Sequence, residues 1–118
     1  MSLHALLDDA GRFGPEYGDG LASHLPMGLV ALQALGADGP HLQAFFRTES
    51  AHLLPAPAPQ AWPSGDAWAG RFGDITAWPV YHHLFSQWLA AEGAADVLAQ
   101  VLPQLMPGCA AAAFHGPI

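Results

Sequence analysis

The segment VYHHLFSQWLAAE, residues 80–92, decides the fold class of this chain. Its large apolar residues recur at steps of one, three and four, at Val80, Leu84, Phe85, Trp88 and Leu89. This spacing places them on one face of an α-helix and not on one face of a strand. The pattern returns after Gly93, at Val97, Leu98, Val101, Leu102 and Leu105. The two runs predict consecutive helices that are separated at Gly93.

Three more helices are predicted upstream, at 3–10, 26–36 and 39–54. The second is apolar almost all round, which is typical of a buried helix, and Gly36 suits its C-terminal cap. Asp38 is a good N-cap for the third. Near the end of the chain, Pro103 should kink or shorten its helix, and Pro107 suits the start of a last helix. Since no stretch alternates convincingly, strands are not expected, and we predict an all-α domain of five to six helices.

A long loop, residues 55–79, interrupts this single predicted domain of residues 1–118. It contains five prolines and three tryptophans, and its Pro-Ala repeat favours extended backbone. Loops of this length inside a domain are commonly lids, binding loops or linkers. Trp62, Trp68 and Trp78 either cover the helical core, which is the favoured interpretation, or form an aromatic wall over a ligand cleft.

Composition excludes several classes of protein. The chain has 118 residues, of which 52% are hydrophobic and 11% charged, and its net charge is −7 with only three Lys and Arg residues in total. Binding of nucleic acid and of anionic membranes depends on clustered Lys and Arg, so neither is expected. No signal peptide and no apolar run of about 20 residues is present. We therefore expect a cytoplasmic protein.

Histidine is the residue type that carries plausible chemistry here, because there are seven in a chain with few charges. His82 is expected to point inward and its neighbour His83 to be solvated, since adjacent helical residues lie about 100° apart. His24 and His115 are each read as either a structural or a catalytic histidine. Two further histidines, His41 and His52, read as surface residues.

The standard signatures of cofactor, phosphate and metal sites do not occur. GRFG and GDG do not satisfy the dinucleotide pattern, and there is no P-loop, GxSxG or HExxH sequence. We therefore expect no metal site. The single cysteine, Cys109, lacks a visible partner for catalysis and is expected to be a small apolar filler.

Three stretches together resemble the questin oxidase-like family. They are SHLPMGLVALQALGA at 23–37, ITAWPVYHHLFSQWLAAEG at 75–93 and LPQLMPGCAAAAFHG at 102–116. Their order and spacing fit, so the resemblance covers roughly residues 11–118. Family members are longer, and the chain is expected to correspond to their N-terminal part or to a short member. Pro117 departs from the Leu-Ile-Arg that would follow FHG in the family.

The resemblance implies a helical oxidoreductase related to enzymes that open an anthraquinone ring by Baeyer–Villiger-type oxidation, with NADPH and oxygen. His24 and His115 fall on the family's motif histidines and become the first site candidates. Tyr81 and His82 lie in the similar aromatic segment and are second candidates. The resemblance also implies a hydrophobic aromatic small molecule as substrate.

A second hypothesis is a non-catalytic helical module. The excess of apolar residues for so short a chain predicts exposed hydrophobic surface that something covers. Such a module would bind a hydrophobic ligand or associate with itself as a homo-oligomer. Turnover that depends on His24 would favour the oxidoreductase, whereas a clean monomer without an apolar patch would count against the module.

Overall fold

The computed structural model describes residues 1–63, 65 and 67–108. In these ranges the fold is mostly helical, with five α-helices and one two-stranded sheet. The predicted all-α class is thereby confirmed. The chain divides into two compact units, Met1–Pro57 and Ala58–Ile118, which are described separately.

Three helices form the core of the first unit: α1 (Leu3–Ala10), α2 (Leu25–Ala34) and α3 (Gly39–Ser50). Leu25 and Leu29 of α2 are its most deeply buried large side chains, at 1% and 0% exposed. Around them pack Leu6, Ala10, Leu42 and Phe46. Each helix therefore places one apolar face in a shared core, as the helical spacing of these residues predicts.

The helix caps follow from the local sequence. Asp38 accepts a 3.0 Å hydrogen bond from the His41 N–H, which confirms it as the N-cap of α3. Gly36 follows α2 with a φ of 94°, a left-handed conformation that glycine adopts without strain. Its N–H donates to the carbonyl oxygen of Gln33 at 2.9 Å, so the predicted glycine ending of this helix is also confirmed.

The prediction that α2 is buried all round is wrong. Met27 and Val30 are each 49% exposed, and Leu35, directly after the helix, is 85% exposed. Within the first unit, α2 packs against the helices α1 and α3. One face of α2 is enough to make these contacts, so its other face stays exposed. An apolar composition sets how much surface a helix could bury, but it does not supply the neighbours that would cover it.

The predicted span 39–54 for the third helix is too long at its end. The helix stops at Ser50, and the chain then pairs with the segment after α1. The Gly14 N–H donates to the Leu54 carbonyl at 2.9 Å, and the Ala56 N–H donates to the Arg12 carbonyl at 2.8 Å. These long-range hydrogen bonds require extended backbone at residues 54–56, and they compete with another helical turn.

The expectation of no strands is also wrong, on a small scale. Strands β1 (Glu16–Tyr17) and β2 (Leu21–Ala22) pair antiparallel, with Glu16 opposite Ala22. Gly18 and Gly20 take positive φ values of 55° and 86° in the connecting turn. Two-residue strands are too short to show alternation, so the periodicity test could not find them.

The second unit contains the Pro/Trp-rich loop and two helices. The loop includes two short 3₁₀ turns, Trp68–Arg71 and Ile75–Ala77, and leads directly into α4 (Trp78–Glu92). Gly93, with a φ of 83°, separates α4 from α5 (Ala94–Leu105) as predicted.

The end of α5 lies close to Pro103, which was expected to kink or shorten the helix. The helix runs through Pro103 and ends two residues later, and a 3₁₀ turn, Met106–Gly108, follows it. The helix predicted through the alanines lies outside the described residues. None of the described helices combines the length and the hydropathy that a membrane span requires.

Candidate functional site

A cluster of aromatic side chains surrounds Trp68 in the second unit. The Trp68 ring meets Phe72, Phe85 and Trp88 edge-on, with centroids 5.5, 5.9 and 5.6 Å apart. Edge-to-face contact is favourable because the positive ring edge meets the negative face. The 3₁₀ turn that carries Trp68 is therefore packed against α4. We call Trp62, Trp68, Phe72, Tyr81, Phe85 and Trp88 the aromatic cluster.

Helix α4 supplies half of this aromatic cluster, namely Tyr81, Phe85 and Trp88. Because these residues are spaced by four and three positions, they lie on one face of the helix. Neighbouring rings along this row are nearly parallel, at 15° for Tyr81 with Phe85 and 4° for Phe85 with Trp88. Trp62 packs on Tyr81 with a centroid distance of 4.9 Å. Five of the six rings are half-buried and Phe72 is exposed, so the cluster also presents aromatic surface to solvent.

The hydroxyl of Tyr81 joins α4 to the 3₁₀ turn. It donates a 2.6 Å hydrogen bond to the carbonyl oxygen of Trp68, and it accepts one of 3.2 Å from the Arg71 N–H. Burial raises the pKa of the Tyr81 phenol, and the hydrogen bond from Arg71 opposes this only in part. The phenol therefore stays protonated and keeps its donor role at neutral pH.

One cation lies beside the aromatic cluster. The Arg71 guanidinium is 5.9 Å from the centroid of the Trp62 ring, within the range of a cation–π interaction. Nearby, Asp74 accepts hydrogen bonds from the side chain and the backbone N–H of Thr76, at 2.6 and 3.0 Å. These bonds, and to a smaller extent the charge of Arg71, lower the pKa of Asp74. The carboxylate thus caps the turn that begins α4.

His82 occupies the neighbouring position on α4. Its ring stacks on Trp78, with centroids 4.8 Å apart and planes 16° apart. Its Nδ1 atom is buried and has no hydrogen-bond partner among the described residues. The ring as a whole is half-buried, in keeping with the inward placement predicted for it. His83 was expected to be solvated and is also half-buried, so the burial of the whole ring does not distinguish the two histidines.

The structure describes three of the four predicted site residues. Tyr81 and His82 are consecutive on α4 in the second unit, whereas His24 belongs to the first unit. His24 is exposed at the N-cap of α2, where its carbonyl oxygen accepts a 2.8 Å hydrogen bond from the Gly28 N–H. His115 lies outside the described residues, as does Cys109.

The surface histidines also have defined contacts. His41 and His52 are both exposed, as expected. The His41 Nδ1 atom lies 2.6 Å from Asp38 Oδ1, and the His52 ring packs on Tyr17 at 5.3 Å. The pair of Asp38 and His41 was missed in the sequence, although an acidic N-cap followed three residues later by a polar side chain is a recognisable signal.

The described residues do not suggest a metal or a dinucleotide site. They contain no group of three or more His, Cys, Asp or Glu side chains that could hold a metal ion. The sheet that they form is a short hairpin and not the strand, turn and helix that bind a dinucleotide. Arg12, a possible phosphate ligand, is paired with Asp9 at 3.2 Å.

Comparison with known proteins defines the class of this molecule. Among curated proteins and solved structures, none matches the chain. The family model described as Questin oxidase-like matches residues 21–118, a region that includes α2, α3 and the whole second unit. The molecule is thus a mostly helical protein of an oxidoreductase-like class. It belongs to the Questin oxidase-like family.

Proposed function

We propose that this chain acts as an oxidoreductase on a bulky aromatic substrate of the polyketide type. The family match over residues 21–118 carries the proposal, because it includes both His24 and the aromatic helix α4. Family membership supports an oxidoreductase-like function in general terms. The choice of substrate and the assignment of residues are our own extension.

The aromatic cluster supports the substrate class. Its rings combine apolar faces with partial exposure, and a flat polycyclic molecule gains both burial and offset stacking on such a surface. Arg71, over Trp62, adds one positive charge to a protein with a net charge of −7. A phenol that ionises readily would be attracted to this charge.

The proposed reaction is a Baeyer–Villiger-type insertion beside a ring carbonyl. One oxygen atom of O₂ enters the carbon–carbon bond, and the other leaves as water with two electrons from NADPH. We propose that His24 and His115 act as general acid and base or polarise the carbonyl, with His82 as a further candidate. We assign no residue to NADPH. We also propose a cytoplasmic location, where reduced nicotinamide is available.

Turnover of hydroxyanthraquinones tests this proposal. The purified protein is incubated with NADPH and isotopically labelled oxygen, and the ring-opened product is analysed for one labelled atom by mass spectrometry. His24→Ala should lower kcat about a hundredfold or more, the usual range for loss of an acid or base. His52→Ala is the matched control, because His52 is exposed and its ring packs on Tyr17. Equal activity in both variants would overturn the role of His24.

A second candidate function is self-association, and one feature of α5 favours it. Leu98 and Leu102 are 50% and 45% exposed and lie one turn apart, and Met106, 59% exposed, extends the row. An exposed apolar row of this kind is typical of a helix that another surface covers. We propose that a second copy of the chain supplies that surface.

The oligomeric state tests the second candidate. The double variant Leu98→Gln/Leu102→Gln should reduce the mass measured by light scattering to that of a single chain. Leu21→Gln is the control, because Leu21 is equally exposed, at 56%, but lies in the first unit. A wild-type protein that is a single chain at all concentrations would contradict self-association.

A further inference from the structure

Tyr81 stands out because its hydroxyl is fully engaged within the protein. The O–H donates to the Trp68 carbonyl at 2.6 Å, and the oxygen accepts from the Arg71 N–H at 3.2 Å. The two partners are the first and last residues of the 3₁₀ turn Trp68–Arg71. One phenol oxygen thus holds both ends of this turn against α4.

The ring of Tyr81 also has contacts with neighbouring side chains. Trp62 lies on it at 4.9 Å and Phe72 at 6.0 Å, so residues before and after the turn contact the same side chain. The Gly70 N–H donates to the Ala67 carbonyl at 3.0 Å at the start of the turn. Hydrogen bonds in a 3₁₀ turn have poorer geometry than those in an α-helix, so the contacts with Tyr81 add to the order of the turn.

The contacts of the turn with α4 fix the position of the Trp68 side chain. Its backbone is fixed by Tyr81, and its ring packs on Phe85 and Trp88 of the same helix. Because the Tyr81 proton is directed at the Trp68 carbonyl, donating that proton elsewhere would release the turn. The hydroxyl is therefore better suited to holding the turn than to acid or base chemistry.

We infer that Tyr81 is a positioning residue: its hydroxyl fastens the turn Trp68–Arg71 to α4. It thereby holds Trp68 of the aromatic cluster, and Arg71 beside it, in place to bind a ligand. The inference rests on the proposed function for the identity of the ligand. The fastening itself rests only on the two hydrogen bonds and the ring contacts. Both parts can be measured separately.

The fastening is tested without any ligand. Tyr81→Phe keeps the ring and removes the oxygen, and Tyr17→Phe is the matched control in the other unit. Amide hydrogen exchange at Arg71 should become about tenfold faster in Tyr81→Phe, because its N–H loses its acceptor. Exchange at Gly93, whose N–H donates to Leu89 at the end of α4, should not change. Unchanged exchange at Arg71, or an equal acceleration at Arg71 and Gly93, would overturn the inference.

The positioning role is tested with alizarin, a hydroxyanthraquinone, as the probe. Tyr81→Phe should weaken alizarin binding about fivefold, as measured by quenching of tryptophan fluorescence, and Tyr17→Phe should not. With a substrate that turns over, KM should rise and kcat stay near the wild-type value, whereas loss of a catalytic acid would lower kcat. If wild-type protein does not bind alizarin while Arg71 exchange responds as expected, the proposed substrate class fails and the fastening stands. If Arg71 exchange does not respond, the fastening fails whatever alizarin does.

Discussion

Trp88 and Glu92, one turn apart on α4, are joined by a 2.7 Å hydrogen bond from the indole Nε1–H to the carboxylate Oε2. The same oxygen accepts a 2.7 Å hydrogen bond from the Gln100 side chain on α5. One carboxylate thus orients a ring of the aromatic cluster and ties the two helices on either side of Gly93. The corner of the second unit and its aromatic surface are coupled through this oxygen.

Removing the Glu92 carboxylate should change the surroundings of the Trp88 indole and lower the free energy of unfolding slightly. We expect Glu92→Ala to lower the free energy of unfolding by about 1 kcal/mol, the usual net value of a hydrogen bond. Tryptophan emission should shift because the indole N–H loses its acceptor. Urea denaturation and fluorescence measure the two effects. Glu16→Ala, an exposed glutamate of β1, is the control, and an equal emission shift in both variants would contradict the coupling.

Gly28 on α2 should not tolerate a side chain. A Cβ atom at this position would overlap the Phe45 ring, which is half-buried against the core of the first unit. Gly28→Ala should therefore lower the free energy of unfolding by about 1 kcal/mol, since overpacking outweighs the helix propensity of alanine. Gly39→Ala is the matched control, because a Cβ there meets only the Met1 carbonyl at 3.8 Å. A Phe45→Leu change that restores stability to Gly28→Ala would identify the ring as the obstacle.

Leu29, within α2, and Leu35, directly after it, differ strongly in burial. Leu29 is fully buried at 0% exposed, and Leu35 is 85% exposed. Leu29→Ala should lower the free energy of unfolding by about 2–5 kcal/mol, because it leaves a cavity in the core. Leu35→Ala should change it by less than about 0.5 kcal/mol. Chemical denaturation of the two variants measures the difference, and similar losses in both would contradict the exposure of Leu35.

Asp38 should stabilise the protein in a pH-dependent way. Hydrogen bonds from the backbone and then the ring of His41 hold the pKa of Asp38 below its ordinary value. Because the folded-state pKa is lowered, this stabilisation is complete above the unfolded value of about 3.9 and is lost as the pH falls through the folded value. Asp38→Ala should therefore lower Tm by a few degrees at neutral pH.

The difference in Tm between wild-type protein and Asp38→Ala should shrink as the pH is lowered below about 4. Calorimetry across that range measures it. Asp8→Ala provides the comparison, because Asp8 is an aspartate within α1 and not at an N-cap. A difference that grows toward acid would contradict the sign of the shift.

Much of the fold could be predicted because it depends on short-range rules. The N-cap at Asp38, the glycine ending after α2 and the break at Gly93 each follow from backbone preferences within a few residues. The helix face that carries Phe85 and Trp88 follows from periodicity alone. The family resemblance was also visible in the sequence, since its motifs are local.

The failures have a common origin in long-range contacts. The end of α3 is set by hydrogen bonds from residues 12–14 to residues 54–56, and no pattern within the helix announces them. The exposed face of α2 depends on how many helices surround it, which its composition does not contain. The engagement of the Tyr81 hydroxyl by Trp68 and Arg71 joins positions ten and thirteen residues apart.

By itself, the sequence determined the helices, their caps and the family, because each depends on the preferences of neighbouring residues. Tertiary structure decided which apolar faces are covered, and it placed Trp68 on α4 through the hydroxyl of Tyr81. The physical reason is that burial and side-chain hydrogen bonds require a contacting residue. That residue is often distant in the sequence and comes near only when the chain folds.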